Sequence, residues 1–245
     1  MKHKFLVLWL AGLVGAAAVL PYAFTLQHDI IAKVGKPLSV LVFASLAQTA
    51  VLLAIALFFG LKLARRVGLF VLEEGLPTKE KLRTFLALTV GAGVVTAVLI
   101  TVGDQIFGRY LPELAAVNGS VALWKTLLAS LYGGVVEEIL MRLFCMSLFA
   151  WLFAKVFRVT EPTKNALVMW TAIVISTVLF GLGHLPITSA LTVITPLVVA
   201  RAIVLNGIGG LVFGWLYWKK GLEYSMVAHF TADIVLLAVL PTLLK

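Results

Sequence analysis

Residues 122–154 read ALWKTLLASLYGGVVEEILMRLFCMSLFAWLFA, and the reading of this stretch decides the fold. A membrane-spanning helix needs about 20 largely apolar residues to cross ~30 Å of hydrocarbon, since each residue adds ~1.5 Å. The run is long enough for one generous span and nearly long enough for two. Taken as one, it is the fourth of seven apolar segments, the others lying at 5–24, 38–61, 84–103, 165–183, 190–217 and 224–244. Taken as two, it makes eight spans and moves every later loop to the other side of the membrane. Continuous apolar runs argue against a strand barrel, whose segments are short and alternate. The expected fold class is all-α: a polytopic membrane protein, a bundle of about seven transmembrane helices with a polar site inside it. The first run, behind Lys2 and Lys4 and with alanines at 16–18, also fits a secretory signal peptide.

Composition agrees with lipid as the solvent. Of 245 residues, 62% are hydrophobic and only 13% charged, whereas soluble domains run nearer ~25% charged. Twenty basic and eleven acidic side chains give a formal charge of +9. The basic residues form short clusters between apolar runs rather than a stripe, which argues for membrane flanks and against a nucleic-acid partner. With seven spans and the N-terminus inside, thirteen Lys and Arg fall in inner segments, at 2–4, 62–83, 155–164 and 219–220. Four fall in outer ones: Lys33, Lys36, Arg109 and Lys245. Basic residues collect on the cytoplasmic side, so the N-terminus is expected in the cytoplasm, the protein sitting in the cell membrane of a prokaryote. The connection 62–83, with its Leu-Pro-Thr-Lys-Glu run, reads as a cytoplasmic amphipathic segment that starts a helix. Gly210 with Gly214, and Gly91 with Gly93, thin their helices for close packing. No second, soluble domain is visible; 1–245 reads as a single integral membrane domain.

Charged groups inside a bilayer cost roughly 2.5–3.5 kcal/mol each on insertion scales, so those present usually face one another, a cavity or a reaction. Three places hold them: Gly-Gly-Val-Val-Glu-Glu-Ile-Leu-Met-Arg at 133–142, Phe180-Gly-Leu-Gly-His184-Leu-Pro186, and His229-Phe-Thr-Ala-Asp233. At 100° per residue, positions four apart lie about 40° apart in projection and positions five apart about 140°. Arg142 therefore favours Glu138, and Glu137 projects from another face as a candidate general base. His184 alone is an ordinary interfacial histidine; His229 and Asp233, at i and i+4, share a face. Together, two histidines and three carboxylates confined to three spans point to a site. Residue counting nonetheless sets Glu137 about 22 Å from Ala122, His184 near the outer end of its span and His229 near the inner end of the seventh. That is too spread in depth for one shared water, unless the helices tilt unequally or the fifth span ends within the membrane at Pro186. Arg201 and Asn206 are assigned to carbonyl pairing or substrate contact, and Cys145 to packing.

The ordered set Glu137-Glu138-x-x-x-Arg142, Phe180-x-x-x-His184 and His229-x-x-x-Asp233 resembles the signature of the CAAX-protease and bacteriocin-processing family. These are intramembrane proteases related to the eukaryotic Ras-converting enzyme. The motifs cover 137–233, with 122–244 as the family core, and residues 1–120 carry no matching motif. The resemblance implies a glutamic endopeptidase with no metal or other cofactor. Glu137 would take a proton from a water, His184 would orient that water, and His229 with residue 233 would stabilise the oxyanion, supported by Glu138 and Arg142. The partners implied are membrane lipid and a membrane-associated peptide or protein, prenylated or not, cleaved near its C-terminus; the sequence does not identify the substrate-binding residues. Position 233 is Asp where the eukaryotic branch often has Asn. An ionised Asp only accepts hydrogen bonds, so Asp233 either carries a proton and donates, or orients and charges His229; the second reading is adopted.

Other readings stay open. A zinc peptidase would use Glu137, His184 and His229, although no His-Glu-x-x-His occurs. A non-catalytic immunity or scaffold protein would keep the cluster as a binding site. A transporter or proton relay uses the same residue types, but no inverted repeat of the kind such folds often carry is visible. For 137–142 alone, a buried salt-bridge network that fixes packing is the plainest alternative.

Overall fold

The structure, a computed structural model, describes residues 1–72, 78–115 and 121–243. Among the described residues seven helices are long and apolar enough to cross a membrane: α1 (Lys2–Leu26), α2 (Leu38–Val67), α3 (Lys79–Gly108), α4 (Leu123–Val156), α5 (Ala166–Thr188), α6 (Pro196–Lys219) and α7 (Leu222–Leu243). Among the described residues there is no strand. Each expected run holds one of these helices, the sixth beginning at Pro196 rather than at residue 190, and 122–154 forms a single one, so the eight-span alternative falls. The glycines and charges in its middle do not break α4, because α7 packs against the former and partners the latter. Two stretches of α4 are π-helical, Tyr132–Glu137 and Ile139–Met146, and they flank Glu138. Such widened turns are rare and recur at functional sites.

Local chemistry sets the helix ends. Gly68, in the left-handed region at φ 82°, closes α2 just after Arg65 and Arg66, whose charges suit the negative end of a helix dipole. Thr78 caps α3, its hydroxyl accepting from the Lys81 amide at 3.3 Å. Within the described part of the connection 62–83, residues 62–67 extend α2 and 79–83 belong to α3, rather than forming a separate amphipathic element. Between them Leu69 is buried, and the Phe70 carbonyl accepts from the Leu222 amide at the start of α7. Leu76 and Pro77 of the expected helix start lie outside the described residues.

Packing makes α4 the centre of the bundle. Val136, Ile139, Leu143, Met146 and Ala150 join Leu53, Leu57 and Ala64 of α2 and Met169, Ala172 and Ile173 of α5 in the main core. A second core brings together Ala97 of α3, Phe213 and Leu216 of α6, and Ala228 and Ala232 of α7. Lipid tails are as apolar as leucine, so such contacts are held by dispersion and close fit. Gly210 and Gly214 serve that fit as expected: a Cβ there would lie 2.5 Å from Thr177 and 2.9 Å from Ile173 of α5. Gly93 likewise lies against the Ala228 carbonyl of α7. Gly91 does not, since it is on the exposed side of α3 with nothing within 4 Å of a Cβ.

Candidate active site

The three motifs meet. α4 and α5 run antiparallel, joined by the short connection 157–165, so heights are best counted from that connection. Glu137 is then about 28 Å back from Val156 and His184 about 27 Å on from Ala166, at 1.5 Å per residue. Counting along α4 from Ala122 is what set Glu137 apart from His184, because a helix of 34 residues overshoots the bilayer. α5 is regular to Gly183, turns at His184 and ends in a short helical segment, Leu185–Thr188. α7 reaches the same place through two glycines that the motif reading passed over. A Cβ on Gly134 would lie 2.7 Å from the Phe230 Cβ, and one on Gly133 would overlap the Asp233 carboxylate and sit 3.2 Å from His229 Nε2.

Glu137 and Glu138 divide as the helical geometry predicts. Glu138 is fully buried. Its Oε1 accepts from His229 Nδ1 at 2.8 Å, its Oε2 accepts from the Ser225 hydroxyl, and Arg142 Nε stands 3.5 Å from Oε2. Sequence spacing anticipates the Arg142 pair but not the two partners on α7. The Arg142 guanidinium lies between the Phe180 and Phe213 rings, 5.1 and 5.7 Å from their centroids. Phe213 also stacks on the His229 ring at 4.6 Å, and Phe180 meets both His229 and His184 edge-on. Phe180 belongs to a quoted motif; Phe213 has no signal beyond being aromatic in an apolar run.

Glu137 instead faces a cavity, its side chain 20% exposed. Its Oε1 is 3.9 Å from His184 Nε2 and its Oε2 is 3.7 Å from His229 Nε2, which is itself 3.6 Å from Asp233 Oδ1. These gaps exceed direct hydrogen bonds and suit groups that share a water or a substrate atom. His184 Nδ1 lies 2.9 Å from the Phe180 carbonyl; a carbonyl only accepts, so Nδ1 carries the hydrogen and Nε2 offers a lone pair to the cavity. His229 Nδ1 is held by Glu138, and Asp233, expected to orient and charge His229, faces Nε2 on the cavity side.

The cavity holds about 780 Å³ and is walled by α1 and by α3 to α7. Arg201, expected to find a carbonyl or substrate, meets Asp104 of α3: Nε and Nη2 reach its Oδ1 at 2.9 and 2.6 Å. Asp104 falls one residue past the third expected run, which is why the polar pattern missed it. Asn206 does find a carbonyl, that of Ala202, at 2.8 Å. Cys145 is a half-buried free thiol. Among the described residues no group of three or more His, Cys, Asp and Glu side chains is arranged to hold a metal ion.

The motifs are thus ordered along the chain and joined in space. Residues 119–235 match the Rce1-like family of type II CAAX prenyl endopeptidases. At the level of the family this supports a CAAX-type intramembrane protease. The Rce1-like stretch contains Glu137, Glu138, Arg142, His184, His229 and Asp233, with Phe180, Phe213 and the two glycines that admit α7. α1 to α3 lie outside it, and α1 and α3 complete the cavity with Tyr22 and Asp104 among others. No curated protein and no solved structure matches the chain.

Proposed function

We propose that the protein is a glutamic endopeptidase that cleaves a membrane-associated peptide or protein near its C-terminus. The observation that carries the reading is Glu137 on a cavity wall within 4 Å of both His184 and His229. Glu137 takes a proton from a water that also donates to His184 Nε2, and the resulting hydroxide attacks the scissile carbonyl. Charge develops on the carbonyl oxygen. His229, as imidazolium, donates from Nδ1 to Glu138 and from Nε2 to that oxygen, and Asp233 in its acid form donates alongside. Glu137 then returns the proton to the leaving amine as the C–N bond breaks. One such oxyanion donor is worth ~10²–10³ in rate. Glu138 is a positioning residue, taking the orienting role that the sequence reading gave to Asp233.

The cavity is lined by the C-terminal halves of α1, α3 and α5 and the N-terminal half of α6, so it opens at the end of the bundle away from the basic connections. With the N-terminus cytoplasmic, as the basic residues favour, that end faces outward. The test is cleavage of a quenched fluorescent peptide panel, with and without a prenyl group, by purified protein and its Glu137→Gln variant, each with and without a strong chelator. Cleavage that survives chelation and is lost in the variant is expected. Cleavage lost to chelator and restored by zinc would move the reading to a zinc peptidase, and no cleavage by either form would favour a binding role for the site.

A further inference from the structure

The geometry points to a second subsite in the same cavity: Arg201, held by Asp104, binds the C-terminal carboxylate of the peptide. This rests on the endopeptidase reading above and adds the anchor that reading lacks. The charged residues of the cavity wall form two groups. Glu137, His184, His229 and Asp233 form one, while Asp104, Arg109 and Arg201, near the C-terminal end of α3 and the N-terminal end of α6, form the other, two cations against one anion. The carboxylates of the first group repel a free carboxylate and the second group attracts one, so the field within the cavity sets the direction in which a peptide lies.

Arg201 is built to receive that anion. Both Nε and Nη2 converge on one oxygen of Asp104, which fixes the plane of the guanidinium, and the side chain keeps 20% exposure on the cavity wall. Two of its five N–H groups are engaged by this contact; the rest of the fork matches the two oxygens of a carboxylate. Spacing fits as well. Arg201, Leu205, Gly209 and Phe213 recur every four residues along the lining face of α6, and Phe213 stacks on His229. From Arg201 to Gly209 the helix rises about 12 Å, the length of three or four residues of extended chain at ~3.3 Å each. A carboxylate on Arg201 therefore sets the cleaved bond a few residues from the C-terminus.

The experiment compares a cleavable peptide ending in a free acid with the same peptide ending in an amide, for the wild type and for Arg201→Gln combined with Asp104→Asn. The double variant removes both charges and leaves neither one unpaired. The wild type is expected to favour the acid by about 10–100-fold in kcat/KM, the worth of a charge-assisted contact. In the double variant that ratio should fall towards one, with the loss carried by KM for the acid. A wild type without acid preference, a variant that retains it, or an equal loss on both peptides would overturn the assignment, the last marking the pair as a clamp between α3 and α6. Binding of both peptides to Glu137→Gln protein reads the subsite without turnover. If no form cleaves, the protease reading fails, while tighter binding of the acid that is lost in the triple variant upholds the subsite and equal binding of acid and amide removes it.

Discussion

Replacing Glu138 by Gln keeps the size of the side chain and deletes its charge. Arg142 is then a cation 1% exposed, whose three nitrogens make no hydrogen bond to any described residue. What compensates it now is the carboxylate at 3.5 Å and the faces of Phe180 and Phe213. Removing one partner of a buried pair costs ~3–5 kcal/mol, because the other charge stays behind. At ~2–4 °C per kcal/mol for a chain of this size, Glu138→Gln should lower Tm by about 6–20 °C. Combining it with Arg142→Met removes both charges of the pair, places a thioether against the two rings, and should recover most of that loss. Unfolding in a fixed detergent micelle can be followed by fluorescence of the six tryptophans. Activity should not recover with stability. His229 Nδ1 loses its carboxylate in both variants, so kcat should fall by about 10²-fold, close to the loss of one oxyanion donor. A double variant no more stable than Glu138→Gln would refute the ion pair as the origin of the loss, and a stable double variant with full activity would refute Glu138 as the group that positions His229.

Gly133→Ala puts a methyl into the Asp233 carboxylate, so cleavage should drop at least about tenfold while Tm moves by a few degrees, overpacking costing ~1–3 kcal/mol; unchanged kinetics would show that α7 can shift without harm. Asp233→Asn preserves a donor beside His229 Nε2 and should keep far more activity than Asp233→Ala, for which kcat should fall ~10²–10³-fold. Equal losses would return Asp233 to an electrostatic role. For orientation, single cysteines at Arg109 and Lys220 in a Cys145→Ser background are to be labelled on intact cells with a membrane-impermeant maleimide. Position 109 should react and position 220 should not, and the reverse pattern would turn the cavity towards the cytoplasm.

Much of the fold was legible because hydrocarbon imposes one demand on every span: about 20 apolar residues with all backbone groups satisfied within the segment. That demand is local, so seven runs could be counted off the chain, and the i,i+4 relation of Glu138 to Arg142 followed from helix periodicity alone. The cost of charge in lipid likewise singled out Glu137, His184, His229 and Asp233 as a set. Their convergence was not legible. It depends on which end of α4 aligns with α5, on the missing side chains of Gly133 and Gly134 that admit α7, and on the widened turns around Glu138. Partners followed the same rule: Ser225 and His229 on Glu138, Phe213 on Arg142, and Asp104 on Arg201 all come from other helices. A single chain written out in order states what each residue costs to bury, whereas which residues compensate one another is set by packing between helices, and only the folded bundle decides it.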